Sequence, residues 1–240
     1  MKTGTVVKFP AESVKSIKVK PILFNTEMVH AILQGRKMVT RRLVKPAPAG
    51  DGSKPEELTI TRPGYWNQFG DDFVYRQPYK PGDIMYVRET WQYAYDLNGN
   101  DQIIECTGRF LYAADNPAPF NDWIMPDGTH RDRMPWRPSI HMPKEAARIF
   151  LRVTDVRVEK LQDITEEQAR KEGAEPAFEY NTLEGPEIVS DEDGYYVLGF
   201  KGIWDSTIKL ADRDQYGFDA NPWVWVIEFE RISKEDALHE

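Results

Sequence analysis

The stretch of eight residues from Gly35 to Arg42 concentrates side chains that can do chemistry. It holds the amine of Lys37 and the hydroxyl of Thr40, three residues apart, together with three guanidinium groups. The surrounding residues 33–46 contain five basic side chains and no acidic one. This local excess of positive charge fits either a binding site for phosphate or another anion, or an ordinary strand and loop in water.

A short helix is predicted immediately before this stretch. Asn25 or Thr26 can cap its N-terminus, and the apolar residues between Met28 and Leu33 follow helical spacing. Gly35 then suits the left-handed conformation in which helices often end. The chain is therefore expected to leave the helix directly in front of Lys37.

A strand is predicted over residues 38–43. Thr40 and Arg42 share one face of it, because successive side chains of a strand point to opposite sides. Lys37 would point to the other face of a regular strand. It can meet Thr40 only if it lies in the turn before the strand.

A second helix is predicted from the capping box Thr165-Glu-Glu-Gln168, and Gly173 ends it. Its last residue, Glu172, places a carboxylate at the negative end of the helix dipole. That position is unfavourable unless a cation pairs with the carboxylate. The sequence thus predicts a lysine or arginine partner for Glu172, the alternative being an exposed glutamate surrounded by water.

Several residues elsewhere are further candidates for a site. In one predicted strand Arg88 and Glu89 face opposite sides, so one of the two can approach a site. Prolines restrict the backbone around Ser139 and His141. His141 fits a catalytic base, a substrate contact or a structural histidine. Ser139 lies two residues from it and no acid follows at once, which gives a serine triad weak support.

Composition narrows the class of protein. The chain has 240 residues and a net charge of −8, which argues against non-specific binding along duplex DNA. Its single cysteine, Cys106, cannot form a disulfide within the chain, which indicates a reducing compartment. The four histidines lack the spacing of metal ligands, so we expect no metal and no cofactor. No stretch resembles a signal peptide or a membrane span, so we expect a cytoplasmic protein.

Alternating apolar patterns predict most of the remaining structure as strands. They fall in the segments 84–91, 103–114, 149–158 and 223–232. With few helices and many turns, the pattern favours an α+β, mostly β fold. The segment 44–64 is predicted as a long surface loop, 115–138 as a covering loop or lid, and 174–198 as an acidic insertion.

The motif Gly35-x-Lys37-x-x-Thr40-x-Arg42 resembles the signature of the ASCH family, which shares a small β-barrel with PUA domains. Other elements occur in the order that this family implies, from the Pro81-Gly-Asp83 turn to the closing strand. Longer stretches around the tryptophans resemble the larger ASCH proteins of prophages and phages. The resemblance implies one PUA-like domain across 1–240, with short flanking helices and long loop insertions. Its core is expected over 21–46, 79–91, 103–114, 136–173 and 199–232, and its insertions over 47–78, 115–135 and 174–198.

The resemblance also implies a function that involves RNA or a modified nucleoside. One enzyme branch of the family hydrolyses the amide of N4-acetylcytidine with a lysine, a threonine and a glutamate, which correspond by position to Lys37, Thr40 and Glu172. A threonine hydroxyl needs a base to act as a nucleophile, and a lysine whose pKa is lowered by burial can be that base. The alternatives are an RNA- or modified-base-binding module, a metal-independent ribonuclease, and a phage accessory protein without a small ligand.

The expected partner is thus a nucleoside or a single-stranded or structured RNA. Its binding residues are expected among the basic motif, the strand after Ile84 and the proline-rich segment. They are Arg36, Arg41, Arg42, Arg88, Glu89, Trp91, Trp136, Ser139 and His141.

Overall fold

A computed structural model of the protein describes residues 19–44, 59–62, 65–67, 74–100, 103–115, 123–124, 129–131, 135–177, 180–181, 185–186 and 195–239. In these residues the strands are β1 (Val19–Leu23), β2 (Val39–Leu43), β3 (Thr59–Arg62), β4 (Tyr65–Asn67), β5 (Val74–Arg76), β6 (Ile84–Arg88), β7 (Trp91–Leu97), β8 (Ile103–Tyr112), β9 (Trp123–Ile124), β10 (His130–Arg131), β11 (Phe150–Lys160), β12 (Tyr180–Asn181), β13 (Gly185–Pro186) and β14 (Trp223–Ile232). The helices are α1 (Thr26–Leu33), α2 (Glu166–Lys171), α3 (Tyr196–Thr207), α4 (Arg213–Tyr216) and α5 (Lys234–His239).

The chain divides into two compact units that interleave along the sequence. Among the described residues, unit 1 consists of those within Arg36–Asp83 and Arg152–Glu230. Unit 2 consists of those within Ile17–Gly35, Ile84–Leu151 and Arg231–Glu240. The expectation of one domain across 1–240 stays a prediction.

Unit 1 is built on a sheet in which β14 lies between β11 and β2. Strands β14 and β2 are antiparallel, and their register runs from Val224 opposite Leu43 to Glu228 opposite Val39. Helices α2 and α3 pack on this sheet through a buried apolar cluster. Its members are Val39, Leu161, Ile164, Ala169, Ala174, Phe200, Trp204, Val224 and Val226.

Unit 2 contains a parallel pair, β1 and β6, in which Val19 lies opposite Ile84 and Leu23 opposite Arg88. It also contains the antiparallel hairpin β7–β8, which pairs Trp91 with Tyr112. Two apolar clusters hold this unit together. One contains Ile84, Tyr86, Ala147, Phe150 and Ala237, and the other contains Trp91, Met142 and Ala146.

The local predictions for α1 and α2 are confirmed. Asn25 caps α1 by accepting a hydrogen bond of 2.8 Å from the Met28 N–H. Gly35 and Gly173, at the ends of the two helices, have positive φ angles of 74° and 83°. These glycines adopt at no steric cost a conformation that a β-carbon would strain.

The predicted strand 84–91 proves to be two strands. Strand β6 ends at Arg88, and β7 begins at Trp91 with different partners. The apolar alternation runs through the break because both strands are pleated and largely buried, so sequence period alone could not place the boundary. The predicted covering loop 115–138 also contains two short paired strands, β9 and β10.

Two predicted loop segments also differ from the structure. The predicted insertion 47–78 contains the antiparallel strands β3, β4 and β5. They were not predicted because they are short and their neighbouring segments are rich in proline and glycine. The insertion predicted over 174–198 ends inside a helix, because α3 begins at Tyr196. The rest of that insertion lies largely outside the described residues.

The prediction of a mixed fold with more strand than helix is confirmed. No closed barrel is found in the part of the chain that the structure describes. Of the helices in the described ranges, none is long and apolar enough to cross a membrane.

Candidate active site

The predicted basic partner of Glu172 is Lys37. The Nζ atom of Lys37 lies 2.6 Å from Oε2 of Glu172 and donates a second hydrogen bond, of 2.8 Å, to the backbone carbonyl of Glu172. The two side chains are only 1% and 5% exposed. The prediction that a cation pairs with the carboxylate at this helix end is therefore confirmed, and the ion pair is buried.

The C-terminal end of α2 is fixed by the chain that leads into β2. The Met38 N–H donates a hydrogen bond of 2.8 Å to the carbonyl of Lys171. The Lys37 amine donates one to the carbonyl of Glu172. A helix leaves its last carbonyls without partners inside the helix, and these two contacts satisfy two of them. They also hold Glu172 beside Lys37.

The N-terminal end of α2 is joined to β2 through its capping box. The backbone N–H of Gln168 donates to Thr165 Oγ1, and the N–H of Thr165 donates to Gln168 Oε1, both at 3.2 Å. The same Gln168 oxygen accepts a hydrogen bond of 2.8 Å from Nη2 of Arg41. Residues of β2 and of the turn before it therefore contact both ends of α2.

Arg41 is the centre of the buried polar network. Its Nη1 lies 3.2 Å from Oε1 of Glu172, and its Nη2 lies 2.6 Å from Oε1 of Glu159. Its guanidinium carbon is 5.8 Å from the ring centre of Phe200. The Arg41 Nε atom is buried and has no hydrogen-bond partner among the described residues. Arg41 thus links two carboxylates that would otherwise repel each other.

Strand β2 begins at Val39, so Lys37 lies before it, and the alternation of the strand does not set the direction of its side chain. Lys37 and Arg41 both contact Glu172, whereas Thr40 and Arg42 share the face of β2 opposite to Arg41 by that alternation. Thr40 is 3% exposed, and its Cα partner on β14 is Ile227.

Electrostatic effects connect the two faces. Burial lowers the pKa of Lys37 below its usual 10.5, although the negative charge of Glu172 and its hydrogen bond oppose the shift. Burial also lowers the pKa of Arg42, again opposed by Glu172. The charges of Arg42 and Arg41 add to the lowering of the Lys37 pKa. Lys37, Arg41 and Arg42 therefore all lie within electrostatic range of one carboxylate.

The remaining basic residue of the motif, Arg36, is at the surface. Its Nη1 forms an exposed ion pair of 3.1 Å with Glu175 and donates to the carbonyl of Gly173 at 3.2 Å. An exposed pair of this kind contributes little to stability.

Arg88, Glu89 and Trp91 belong to unit 2. Both carboxylate oxygens of Glu89 are bound by Arg148, at 2.8 and 2.9 Å, and Arg88 donates to the carbonyl of Ile140 at 3.1 Å. Trp91 is buried beside Met142. Glu89 is thus a buried partner of an arginine, and the contacts described for these residues lie within unit 2.

The proline-rich segment also belongs to unit 2. Trp136 is partly buried, and Ser139 and His141 lie in a single turn of 3₁₀-helix. His141 is exposed. The position of His141 is therefore not that of a buried histidine, and Ser139 and His141 are residues of unit 2, whereas Lys37 and Glu172 are residues of unit 1.

Sequence reasoning missed Glu159, Gln168 and Arg157 as members of the network. Arg157 contacts Glu159 at 3.4 Å and also binds Glu228. The capping-box pattern predicts only a capping role for Gln168. One signal was present, because Arg157 and Glu159 alternate with the valines of β11, and charged side chains that are buried with such a strand need partners.

No group of three or more histidine, cysteine, aspartate or glutamate side chains in the described ranges is placed to hold a metal ion. Comparisons of the chain with protein-family models, with curated proteins and with solved structures give no match. The interpretation of the site therefore depends on its own geometry.

Proposed function

We propose that this protein is a hydrolase of modified nucleosides that cleaves an N4-acylcytidine-type amide, with Lys37, Thr40 and Glu172 at its active site and a PUA-like fold as its scaffold. The observation that carries the proposal is the buried Lys37–Glu172 pair. Burial lowers the pKa of the Lys37 amine, which brings its neutral form closer to physiological pH. A neutral amine can act as a general base for a hydroxyl within hydrogen-bond reach, and the proposed mechanism requires that the Lys37 amine, which lies before the start of β2, reach Thr40.

The reaction needs two acyl transfers. The Thr40 hydroxyl attacks the acyl carbonyl carbon and gives its proton to the Lys37 amine, which forms a tetrahedral intermediate. Collapse of this intermediate breaks the bond to N4, which takes up a proton and leaves as cytidine. Water then hydrolyses the ester on Thr40 and releases the carboxylic acid.

The other members of the cluster assist these steps. Glu172 orients the Lys37 amine through the 2.6 Å contact and can pass the proton to the leaving nitrogen. Arg42 shares the face of β2 that carries Thr40, so its guanidinium is suited to stabilise the oxyanion. Arg41 holds the second oxygen of Glu172 and fixes its orientation.

A non-catalytic pocket for a modified base is the second candidate. The observation in its favour is that the carboxylate of Glu172 already binds Lys37 and Arg41, and its carbonyl binds Lys37. A glutamate whose carboxylate and carbonyl are bound in this way is also what a rigid pocket wall requires. In that case Thr40 would contribute contact and no chemistry.

The test is the release of cytidine from N4-acetylcytidine by the wild type, Thr40→Val and Lys37→Met. Thr40→Val keeps the shape of the side chain and removes the nucleophile, so we expect turnover to fall by at least about a thousandfold. Thr154→Val, at an exposed threonine of β11, is the matched control and should leave the rate unchanged.

Equal turnover by the wild type and by folded Thr40→Val would refute the nucleophilic role. Binding of the nucleoside without release of cytidine by any of the proteins would favour the pocket. Circular dichroism of each variant establishes that the rates are compared between folded proteins.

A further inference from the structure

Charged side chains of alternating sign form a continuous row in unit 1, which we call the charge row. Each member lies between 2.5 and 3.4 Å from the next. The members, in order, are Lys37, Glu172, Arg41, Glu159, Arg157 and Glu228. The row begins at a buried amine, and its last carboxylate is 45% exposed. It therefore connects the base of the proposed site with the surface of the unit.

The position of the row follows from the register of the sheet. Arg41 of β2 lies opposite Val226 of β14, so the two side chains project from the same face. Val226 belongs to the apolar cluster that α2 and α3 cover. On β11, Arg157 and Glu159 are two residues apart and share a face as well. The contact between Arg41 and Glu159 places these charges on the covered face of the sheet.

Glu159 is the closer of the two carboxylates that bind Arg41. Both side chains of this pair are buried, and Arg41 Nη2 lies 2.6 Å from Glu159 Oε1. Nη1 of the same guanidinium lies 3.2 Å from Oε1 of Glu172. A buried arginine is costly unless its charge is paired, and Glu159 supplies the shorter pairing. Glu159 thus allows a second cation to be buried near Lys37.

We propose that Glu159 is a positioning residue of the active site: it anchors Arg41 and balances its charge, so that the carboxylate of Glu172 stays shared between Arg41 and Lys37. This inference rests on the proposed hydrolysis, in which Lys37 is the base. Glu159 touches neither the substrate nor Lys37 in this account, and it acts only through Arg41.

Among the described residues, three charged groups act on the Lys37 amine in addition to the burial that lowers its pKa. Glu172, at the end of α2, raises that pKa, whereas Arg42 and Arg41 of β2 lower it further. When Glu159 no longer balances Arg41, the guanidinium draws more strongly on Glu172 and leaves less negative charge for Lys37. Removal of the Glu159 charge should therefore lower the pKa of Lys37.

The test is a titration of the Lys37 amine by nuclear magnetic resonance, in protein with isotope-labelled lysine side chains. The signal of Lys37 is the one that Lys37→Met lacks. Glu159→Gln removes the charge and keeps an oxygen that accepts a hydrogen bond from Arg41. We expect the pKa of Lys37 to fall by about one pH unit in this variant.

Two exposed glutamates of β14 provide a second variant and its matched control. Glu228 and Glu230 are 45% and 55% exposed, and each binds an arginine of β11. Only Glu228 belongs to the charge row, through Arg157. Glu228→Gln should therefore lower the pKa of Lys37 by a few tenths of a pH unit, roughly, because solvent screens this charge. Glu230→Gln should leave it unchanged.

The direction of the shift separates positioning from packing. If Glu159 served only to hold the fold together, its loss would loosen the cluster and admit water, and the pKa of Lys37 would return towards its usual 10.5. A rise or no change in Glu159→Gln would therefore overturn the proposal. Equal values in Glu228→Gln and Glu230→Gln would overturn it as well, also where Glu159→Gln does not fold.

Turnover gives a second readout that keeps the two proposals distinguishable. In Glu159→Gln, the acid limb of the pH profile of kcat/KM for release of cytidine from N4-acetylcytidine should move to lower pH by the same amount. A wild type that releases no cytidine refutes the hydrolysis, while the titration still decides whether Glu159 acts on Lys37. Turnover with an unchanged pKa in Glu159→Gln refutes the role of Glu159 alone.

Discussion

Lys37 is subject to two opposing effects. Burial disfavours its charge, while a carboxylate 2.6 Å away favours it. We expect Lys37→Met to reduce the free energy of unfolding by about 3 kcal/mol, because it leaves Glu172 buried with one partner fewer. The double variant Lys37→Met/Glu172→Gln should recover part of this loss, since no uncompensated carboxylate then remains. Urea unfolding measures both values, and a double variant less stable than the single one would contradict the account.

The lowered pKa of Lys37 has a consequence for stability at alkaline pH. Between the pKa in the folded protein and the usual 10.5, the unfolded chain binds the proton and the folded protein does not. The free energy of unfolding therefore rises with pH in that window, by up to about 1.4 kcal/mol per pH unit for this one group. The difference in stability between the wild type and Lys37→Met should show this slope. A difference that falls as pH rises would show that the pKa is raised instead.

At the level of single residues, the sequence predicted the ion pair but not the network around it. The dipole of α2 called for a cation at Glu172, and Lys37 provides it. The choice of Arg41 as a second partner depends on which strand face packs against α2. The face of β2 that packs against α2 is set by contacts between residues far apart in the sequence, and residue spacing does not predict such contacts. Whether Thr40 takes part in chemistry stays a prediction.

At the level of elements, α2 is held to β2 at both ends. Thr165→Ala removes one half of the capping box and should cost about 1 kcal/mol. Gln168→Ala should cost more, because it removes a cap contact and also the acceptor of the 2.8 Å bond from Arg41. Glu167→Ala, whose ion pair with Lys171 is exposed, is the control and should leave stability nearly unchanged. Equal losses in Gln168→Ala and Thr165→Ala would show that the Arg41 contact contributes nothing.

The elements that were predicted correctly carry strong local signals. Asn25, the capping box and the glycines after both helices mark the ends of α1 and α2 in the local sequence. Strand β14 was predicted over 223–232 and is found there. The break between β6 and β7 was missed because it is produced by a change of strand partner. Partners far apart in sequence cannot be identified from periodicity.

At the scale of the whole molecule, the charge distribution limits which polyanions the protein can bind. The net charge of −8 opposes broad binding to duplex DNA, while the positive charge of the motif in unit 1 is largely buried against carboxylates. Lys37 and Arg41 are thus poorly placed to contact a polyanion from solvent.

The most direct test of the proposed chemistry is a crystal structure of the Thr40→Val protein with N4-acetylcytidine bound. The account predicts that the acyl carbon lies within about 3.5 Å of the methyl group that replaces the hydroxyl, with the Lys37 amine on the same side of that carbon. Binding of the nucleoside away from residue 40, or with its acyl group turned away from Lys37, would contradict it.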